Sequence, residues 1–474
     1  MRIRNCLISI LLSLSLILAL AVPNALAKSK SQDIQKLFDG DGAFAQIENL
    51  VDFGPRVAGG PAEKEAAAYI ADEMESYGLD VEIQEFDIIY YEELSPPGLE
   101  QIAPIPTVYQ EYDDFLTMQY SGSGDVTAPV QPTIDVMIPP SPDANTSDSG
   151  CEAADFAGFI SGSIALIQRG DCYYSQKALN AQNAGAVGVI IFNEGQSGRT
   201  DAMFGTLGGP GISIPVVGAS FAVGEELYNL SVASPVQVHM VVDVISEVRT
   251  SQNVIGTLEG LQPEQGIVYI GGHYDSVSAG PGANDDASGV AGVLEAARVL
   301  ATKGHRTKAT MKFLAFGAEE IGLDGSYWYV SENFDEVTTV GLGMINLDMI
   351  GVGDILLLGN VGGLASDDFL DYTEDKADAM GLVWDSFTAG ANSDHYYFEA
   401  AGCPVSFLTQ DPDPYYHTPE DTPDKIQLDA LEANGELATA VMYDWAKNPA
   451  LRAKKAIKEL KKVHVHHDKV LKAK

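Results

Sequence analysis

The apolar and polar residues of this chain follow two patterns, one typical of helices and one typical of buried strands. A helical period begins at Pro61, which is tolerated in a first turn, continues through an apolar stripe and ends at Gly78. Later in the chain, short apolar strands such as Ile267–Ile270 and Met311–Phe316 alternate with helices such as Ala287–Leu300. This alternation predicts an α/β fold with helices on both faces of the sheet.

The middle of the chain, residues 126–240, has a different pattern and is predicted to be a separate, inserted module. Ser163–Ile167 and Val187–Phe192 are predicted strands, and a helix is expected from about Ser175 to Ala184. The preceding stretch, from about residue 92 to residue 125, is rich in proline, tyrosine and acidic residues and favours an irregular connection. The flanking residues 35–125 and 241–448 are then predicted to form one domain.

The first 27 residues have the pattern of a secretory signal peptide. Arg2 and Arg4 precede an apolar run from Leu7 to Val22, and Ala25–Ala27 offers small residues at a cleavage site. A membrane anchor would need ~20 apolar residues and no such site. We therefore predict a secreted protein, with no later stretch of sequence apolar enough to span a bilayer.

The net charge of −39 limits the kinds of partner that the protein can bind. It argues against nucleic acid, because phosphate contacts need clustered lysine and arginine. Calcium is compatible with so many carboxylates, but no contiguous Asp-x-Asp-x-Asp-Gly loop supports it. Residues 449–474 form a basic tail, whose His464, His466 and His467 are predicted to be solvated rather than metal-bound.

The cysteines agree with an oxidising compartment. Cys151 and Cys172 lie in one polar segment and are predicted to form a disulfide. Cys403 lies between Gly402 and Pro404 in an apolar stretch, so we expect a buried and unreactive thiol.

Metal-binding and catalytic residue types follow the ends of successive predicted strands. His273 and Asp275 follow one strand, Glu319 and Glu320 follow the next, and Asp348 follows a third. Ligands of open α/β sheets bind at the carboxyl ends of strands, so these side chains are expected to converge. Taken alone, the His273–Asp275 pair is equally compatible with a structural role, whereas adjacent unpaired glutamates would be costly to bury without a function.

Two further residues complete the pattern. Asp285 stands in the glycine-rich loop Gly280–Gly289, where it or Asp286 could instead cap the following helix. His417 follows a proline-rich acidic loop. Two histidines with several carboxylates suit two zinc ions, one carboxylate can bridge ions ~3.5–4 Å apart, and a spare glutamate can act as general base.

These residues resemble a known family, the secreted bacterial zinc aminopeptidases and fungal aminopeptidase Y. The likeness extends from about Leu37 to Asn448 and is carried by six motifs: Phe53–Gly59, Gly272–Val277, Gly282–Gly289, Gly317–Glu320, Asn346–Gly351 and Tyr416–Thr418. It implies a zinc-exopeptidase fold, in which helices flank a mixed β-sheet. The middle module resembles the β-rich protease-associated domain inserted in many members.

The resemblance also implies a set of metal ligands divided between two zinc ions that share Asp285. They are His273, Asp285 and Asp348 for one ion, and Asp285, Glu320 and His417 for the other.

Catalytic roles follow from the same resemblance. Glu319 is the expected general base, Asp275 is expected to orient His273, and Tyr416 is expected to help stabilise the oxyanion. Ser393–His395 resembles a family motif near the site, and Asp286 is interpreted as a bystander.

The implied activity is removal of N-terminal residues, large apolar ones such as leucine, from peptides. A dizinc carboxypeptidase is the nearest alternative, but it would favour an arginine-rich pocket, and Arg298 and Arg306 look solvated. A non-catalytic binding or receptor homologue would be expected to lack ligands, and a single-zinc glutaminyl cyclase would leave His273 without a purpose. The oligomeric state stays open.

Overall fold

The computed structural model describes residues 33–302 and 306–451. The predicted signal peptide, and the predicted basic tail from residue 452 onward, lie outside the described residues. Within the described ranges, no helix combines the length and the apolar character that a membrane crossing requires.

The helices and strands are given in chain order. The helices are α1 (Gly40–Val51), α2 (Pro61–Tyr77), α3 (Tyr174–Asn183), α4 (Phe221–Ala233), α5 (Ser288–Leu300), α6 (Asp324–Glu332), α7 (Phe334–Thr339), α8 (Asp368–Met380), α9 (His395–Ala400) and α10 (Leu428–Lys447). The strands are β1 (Asp80–Ala103), β2 (Thr107–Val108), β3 (Phe115–Thr117), β4 (Gly124–Pro132), β5 (Ile164–Gln168), β6 (Gly188–Phe192), β7 (Val216–Ala219), β8 (Gln237–Leu258), β9 (Ile267–His273), β10 (Thr310–Phe316), β11 (Gly341–Leu347), β12 (Ile355–Asn360), β13 (Trp384–Thr388) and β14 (Val405–Asp411).

The sheet is mixed, as predicted. Its order is β13-β12-β14-β11-β9-β10-β8-β4-β5-β6-β7-β3, with β1 paired to β8 and β2 paired to β1. The central strands β10, β9, β11 and β14 are parallel, whereas β8 and β12 run antiparallel to their neighbours in that group. The carboxyl ends of four neighbouring strands therefore meet at one edge.

Helices cover both faces of this central region, which confirms the prediction. Alternate residues of β9 point to opposite faces: Val268 and Ile270 join a core with α1, α2, α5, α8 and α10, whereas Ile267 and Tyr269 join a core with α6, α7 and α9. Because both faces of the strand are buried, it reads as a continuous apolar run rather than as an alternation.

The irregular connection predicted from about residue 92 is wrong. β1 continues to Ala103 and pairs with β8 along its length, from Asp80 opposite Thr257 to Ala103 opposite Gln237. The ladder shifts register between Ser95 and Gly98, around the two prolines that cannot donate hydrogen bonds to it. A long antiparallel partner thus overrides the low strand propensity of the sequence.

The middle module contains its own small sheet. β4, β5, β6 and β7 are parallel neighbours, and β3, which precedes the predicted start of the module at residue 126, closes the edge antiparallel to β7. β5 and β6 appear where strands were predicted, with α3 between them. β8 belongs to both parts of the molecule, since it pairs with β4 near its start and with β10 near its end.

The cysteines behave as predicted. Cys151 and Cys172 form a disulfide with a Cα–Cα distance of 5.8 Å. Cys403 is a free, buried thiol. The disulfide closes a loop with a sequence separation of 21.

Replacing both Cys151 and Cys172 with serine should lower the free energy of unfolding of the middle module by about 3 kcal/mol, because an open loop of this length gains chain entropy when unfolded. Thermal unfolding and hydrogen exchange of β5 and β6 would measure the loss. A reducing agent should destabilise the wild type and leave the double variant unchanged. An equal response of both proteins would contradict the prediction.

Candidate active site

The parallel register of the central strands brings the predicted residues together. His273, the last residue of β9, lies opposite Phe316, the last residue of β10. Gly271 lies opposite Asn346, just before the end of β11. Glu319 and Glu320 after β10, and Asp348 after β11, therefore leave the sheet beside His273.

Asp285 lies at the centre of the cluster, with one histidine beside each carboxylate oxygen. Its Oδ1 is 3.1 Å from His273 Nε2, and its Oδ2 is 3.1 Å from His417 Nε2. Glu320 Oε2 is 3.0 Å from the same His417 nitrogen, and Asp348 Oδ1 is 3.7 Å from His273 Nε2. The structure thus brings together all five residues predicted as metal ligands.

The donor atoms fit divalent cations. Glu320 Oε1 is a buried carboxylate oxygen that accepts no hydrogen bond from any described residue. Asp285 Oδ2 and Asp348 Oδ1 are also buried, and each faces a histidine nitrogen, at 3.1 and 3.7 Å. Burying such oxygens without a partner is costly, and a cation removes that cost. His273 belongs to two groups of residues, and within each group the donor atoms lie within 4.8 Å of one another. One group contains Asp285 and Glu320, and the other contains Asp286 and Asp348. Mixed nitrogen and oxygen ligands of this kind suit zinc.

The protonation equilibria reveal a shortage of positive charge. Hydrogen bonds to Asp285 and Glu320 raise the pKa of His417 to about 10. Burial raises the pKa of Glu320 to about 7 and that of Glu319 well above its usual range. Neighbouring carboxylates add to the effect of burial on both glutamates, and His417 keeps its proton beside two acidic residues. The site therefore has an excess of negative charge, which is an environment that attracts metal cations.

Asp275 has contacts beyond those that the sequence predicted. Its Oδ1 lies 3.5 Å from His273 Nδ1, consistent with an orienting role. Its two oxygens also accept the backbone N–H groups of Glu319, at 3.0 Å, and Glu320, at 3.2 Å. The Asp275 backbone carbonyl oxygen is closer still to His273 Nδ1, at 3.2 Å, so Asp275 holds the imidazole through its backbone and side chain, while its fully buried carboxylate also holds the loop that carries the two glutamates. Nothing local in the sequence signals the second contact.

The interpretation of Asp286 as a bystander is wrong. Its carboxylate is fully buried and accepts the backbone N–H groups of His273, Gly289 and Met349, at 3.2, 2.8 and 3.0 Å. These donors belong to the end of β9, the start of α5 and the segment that follows β11. Asp286 therefore ties together three of the elements that surround the site.

Asp421 is a residue that the sequence analysis missed. Its two oxygens accept the backbone N–H groups of Asn284, at 2.7 Å, and Asp285, at 3.1 Å. It follows His417 by only four residues, so one loop supplies a predicted ligand and supports another. No residue pattern around Asp421 distinguishes it from the many surface acids of this chain.

Three residues at the candidate active site have a strained backbone conformation. Ala318, Met349 and His417 have positive φ values of 57°, 62° and 56°. Non-glycine residues rarely adopt this region, and such residues cluster at functional sites where neighbouring contacts hold them. Here they lie beside Glu319, beside Asp348 and at a predicted ligand itself.

The predicted Ser393–His395 motif lies behind the site. Ser393 Oγ accepts a hydrogen bond from Asn346 Nδ2 at 2.7 Å, next to the end of β11. His395 is fully buried and stacks on Phe407, with ring centroids 4.6 Å apart. Ser393 and His395 thus support the strands, and the buried Asp394 belongs to neither of the two donor groups described above.

A cleft of about 370 Å³ opens beside the cluster. Its lining includes Leu357 on β12, Phe387 on β13 and Phe407 on β14, together with Asp411 at the end of β14. Tyr416 is half exposed at the cleft and stacks on the neighbouring His417 ring, with a centroid distance of 3.8 Å. The cleft thus combines an acidic cluster of candidate metal ligands with an adjoining apolar wall.

Comparison with known proteins agrees with the geometry. The chain matches Peptidase family M28 over residues 253–442 and the PA domain over residues 126–227. It is 34% identical over 442 residues to aminopeptidase YwaD of Bacillus subtilis, covering 90% of this chain and 88% of that protein. It is 38% identical over 335 residues to an aminopeptidase of Pseudomonas aeruginosa, covering 70% of this chain and 59% of that protein.

Solved structures give the same assignment. The aminopeptidase from Aneurinibacillus sp. strain AM-1 superposes with a TM-score of 0.62 at 33% identity, covering 90% of this chain and 98% of that one. BSAP, a zinc aminopeptidase from Bacillus subtilis, superposes with a TM-score of 0.56 at 32% identity, covering 88% of this chain and 97% of that one. The predicted family is confirmed: this chain belongs to Peptidase family M28 and contains an inserted PA domain.

Proposed function

We propose that this chain is a secreted aminopeptidase that uses two zinc ions to hydrolyse the first peptide bond of its substrates. The observation that carries the proposal is the position of Asp285, with His273 on one oxygen and His417 on the other. The names of its relatives, which include a zinc aminopeptidase, support the same class of enzyme. The amino-terminal signal pattern and the disulfide support secretion.

The residues that would hold the two ions share the bridging carboxylate. One ion is assigned to His273, Asp285 and Asp348, and the other to Asp285, Glu320 and His417. Zinc held by these residues would lower the pKa of a water molecule and would polarise the scissile carbonyl group.

Proton transfer is assigned to Glu319. Its side chain is nearly buried and reaches to 4.0 Å from His273 Nε2, at the edge of the cluster. The water oxygen bonds to the carbonyl carbon, Glu319 takes the water's proton, and that proton passes to the leaving amine as the C–N bond breaks. Asp275 holds the Glu319 backbone in place, and Tyr416 is assigned to hydrogen-bond the oxyanion.

Charge favours an aminopeptidase over a carboxypeptidase. Apart from the proposed metal ligands and Glu319, the charged residues in the described cleft lining are Asp411 and Asp413. The described lining contains neither lysine nor arginine. A carboxyl terminus would be repelled there, whereas a free α-ammonium group would be attracted.

The apolar wall of the cleft supports a preference for large apolar N-terminal residues. Gly359 on β12 lies opposite both Phe387 and Phe407, whose ring centroids are 5.5 Å apart. A Cβ atom at Gly359 would lie 2.4 Å from the Phe387 carbonyl oxygen and 2.7 Å from the Phe387 ring, so the glycine allows the close approach of Phe387. Leu357 completes an apolar surface large enough for a side chain such as that of leucine.

Glu319→Gln should retain zinc and lower kcat by about 10²- to 10⁴-fold, because the amide cannot accept the proton. Hydrolysis of leucine-p-nitroanilide and metal analysis of the same sample would test this. Glu332→Gln, an exposed substitution at the end of α6, is the matched control and should leave kcat unchanged. Normal turnover by Glu319→Gln would remove this residue from the mechanism.

The two-zinc assignment predicts an unequal response of the ligands. His417→Ala should lose one zinc ion per chain, whereas Asp285→Ala should lose both, because only Asp285 serves both ions. Metal content after dialysis against a weak chelator measures the difference. Retention of the same zinc content by both variants would contradict a bridging Asp285.

The aminopeptidase assignment predicts that only a free amino terminus is cleaved. The mature protein should hydrolyse leucine-p-nitroanilide and spare its N-acetyl analogue, and a strong chelator should abolish the activity until zinc is restored. Cleavage of peptides from the carboxyl end would instead support the carboxypeptidase alternative.

Leu357→Ala should lower kcat/KM for leucine-p-nitroanilide by about 10-fold through lost apolar contact, with a smaller effect on alanine-p-nitroanilide.

A further inference from the structure

Arg56 is a buried cation that the mechanism does not use. It lies in the loop before α2 and is completely shielded from solvent. Its guanidinium group donates to three backbone carbonyl oxygens: Nε to Tyr274 at 2.6 Å, Nη1 to Pro281 at 2.6 Å and Nη2 to Gly282 at 2.8 Å. Among the described residues, no carboxylate forms an ion pair with it. A buried arginine that binds only neutral carbonyls needs a reason, since burying its charge is costly.

The three acceptors lie on the two segments that carry His273 and the shared carboxylate Asp285. Tyr274 directly follows His273 at the end of β9. Pro281 and Gly282 belong to the loop that leads to Asp285. The rigid, planar fork of the guanidinium therefore fixes the distance between the His273 strand end and the Asp285 loop.

The Arg56 backbone adds to this connection. Its N–H group donates to Ser276 Oγ at 2.9 Å, and its carbonyl oxygen accepts the Ser276 N–H group at 3.2 Å. The Arg56 loop is in turn held by Glu63 of α2, which accepts the Gly59 N–H group at 2.7 Å. The guanidinium thus extends from a fixed support rather than from a free loop.

The opposing loop is shaped to meet the guanidinium. Gly282 has a φ of 63°, in the region that favours glycine. A Cβ atom there would lie 2.4 Å from the Asp285 carbonyl oxygen, 2.6 Å from Ser276 Cβ and 3.1 Å from Arg56 Nη2. The tight turn of the Asp285 loop beside Arg56 therefore requires glycine at this position.

The charge of Arg56 also suits its surroundings. Burial lowers its pKa to about 10, although the nearby carboxylates Asp275, Asp421 and Asp286 oppose that effect. Arg56 consequently stays protonated at neutral pH. It supplies a fixed positive charge next to a cluster with an excess of negative charge.

We propose that Arg56 is a positioning residue that clamps the Asp285 loop against the His273 strand end and thereby sets the affinity of the site for zinc. The proposal rests on the zinc site described above. It assigns Arg56 no contact with substrate and no part in proton transfer.

Arg56→Lys tests the clamp, because a lysine keeps the charge but cannot reach three carbonyl oxygens in a fixed plane. We expect the dissociation constant for zinc to rise by about 10- to 100-fold, as for other residues that support metal ligands. Competition between the metal-free full-length mature protein and a chromophoric chelator would measure it. At saturating zinc, kcat should recover most of its wild-type value, since the reacting groups are intact.

Lys177→Met is the matched control for lost stability. Lys177 is also fully buried and donates to a backbone carbonyl oxygen, that of Ser149 at 2.5 Å, but it lies in the inserted module. This variant should change the Tm of the metal-free protein without changing zinc affinity. If Arg56→Lys likewise shifts only the Tm, Arg56 is a purely structural residue and the proposal is overturned.

Gly282→Ala provides a second route if Arg56→Lys does not fold. The added methyl group would meet the Asp285 carbonyl oxygen and Ser276 Cβ and would move the Gly282 carbonyl oxygen away from an intact guanidinium, so zinc affinity should again fall by about 10-fold or more. Unchanged affinity would overturn the clamp. Zinc binding is measured without hydrolysis, so a wild type that binds zinc but cleaves no peptide would contradict the proposed function and leave the clamp testable. A wild type that binds no zinc would overturn both.

Discussion

The concentration of buried carboxylates at the ends of β9, β10 and β11 is the constraint on which the rest of this site depends. Like charges held out of water repel one another and raise one another's pKa unless cations or hydrogen-bond donors compensate them. Asp285 and its neighbours can remain ionised together only because two imidazoles, one guanidinium and, as proposed, two metal ions share the space. The geometry of the fold is organised around supplying that compensation.

Much of the compensation comes from backbone amides rather than from side chains. Asp275, Asp286 and Asp421 each accept two or three N–H groups from the segments that carry the ligands. Each such contact stabilises a negative charge and also fixes a loop. Electrostatic need and precise positioning are therefore met by the same hydrogen bonds. Arg56 is the cationic counterpart of these carboxylates, because it donates to backbone carbonyl oxygens at the end of β9 and in the Asp285 loop.

The parallel strands explain why the site lies where it does. Four neighbouring strands end at one edge, so residues far apart in sequence leave the sheet within hydrogen-bonding distance of one another. The apolar side of the cleft comes from the adjoining antiparallel strand β12 and its neighbours, where Leu357, Phe387 and Phe407 face the same way. Chemistry and substrate contact thus come from adjacent parts of one sheet.

The sequence by itself determined the element types around the site, the disulfide, the family and the identity of the residues that cluster. It did so because apolar period, strand ends and ligand types are local properties of the chain. Only the tertiary structure decided that β1 pairs with β8 through a proline-containing stretch, that Asp286 and Asp421 bind backbone amides, and that Arg56 joins two loops. Those contacts join residues whose separation in the chain is bridged only by folding, so no local pattern can report them.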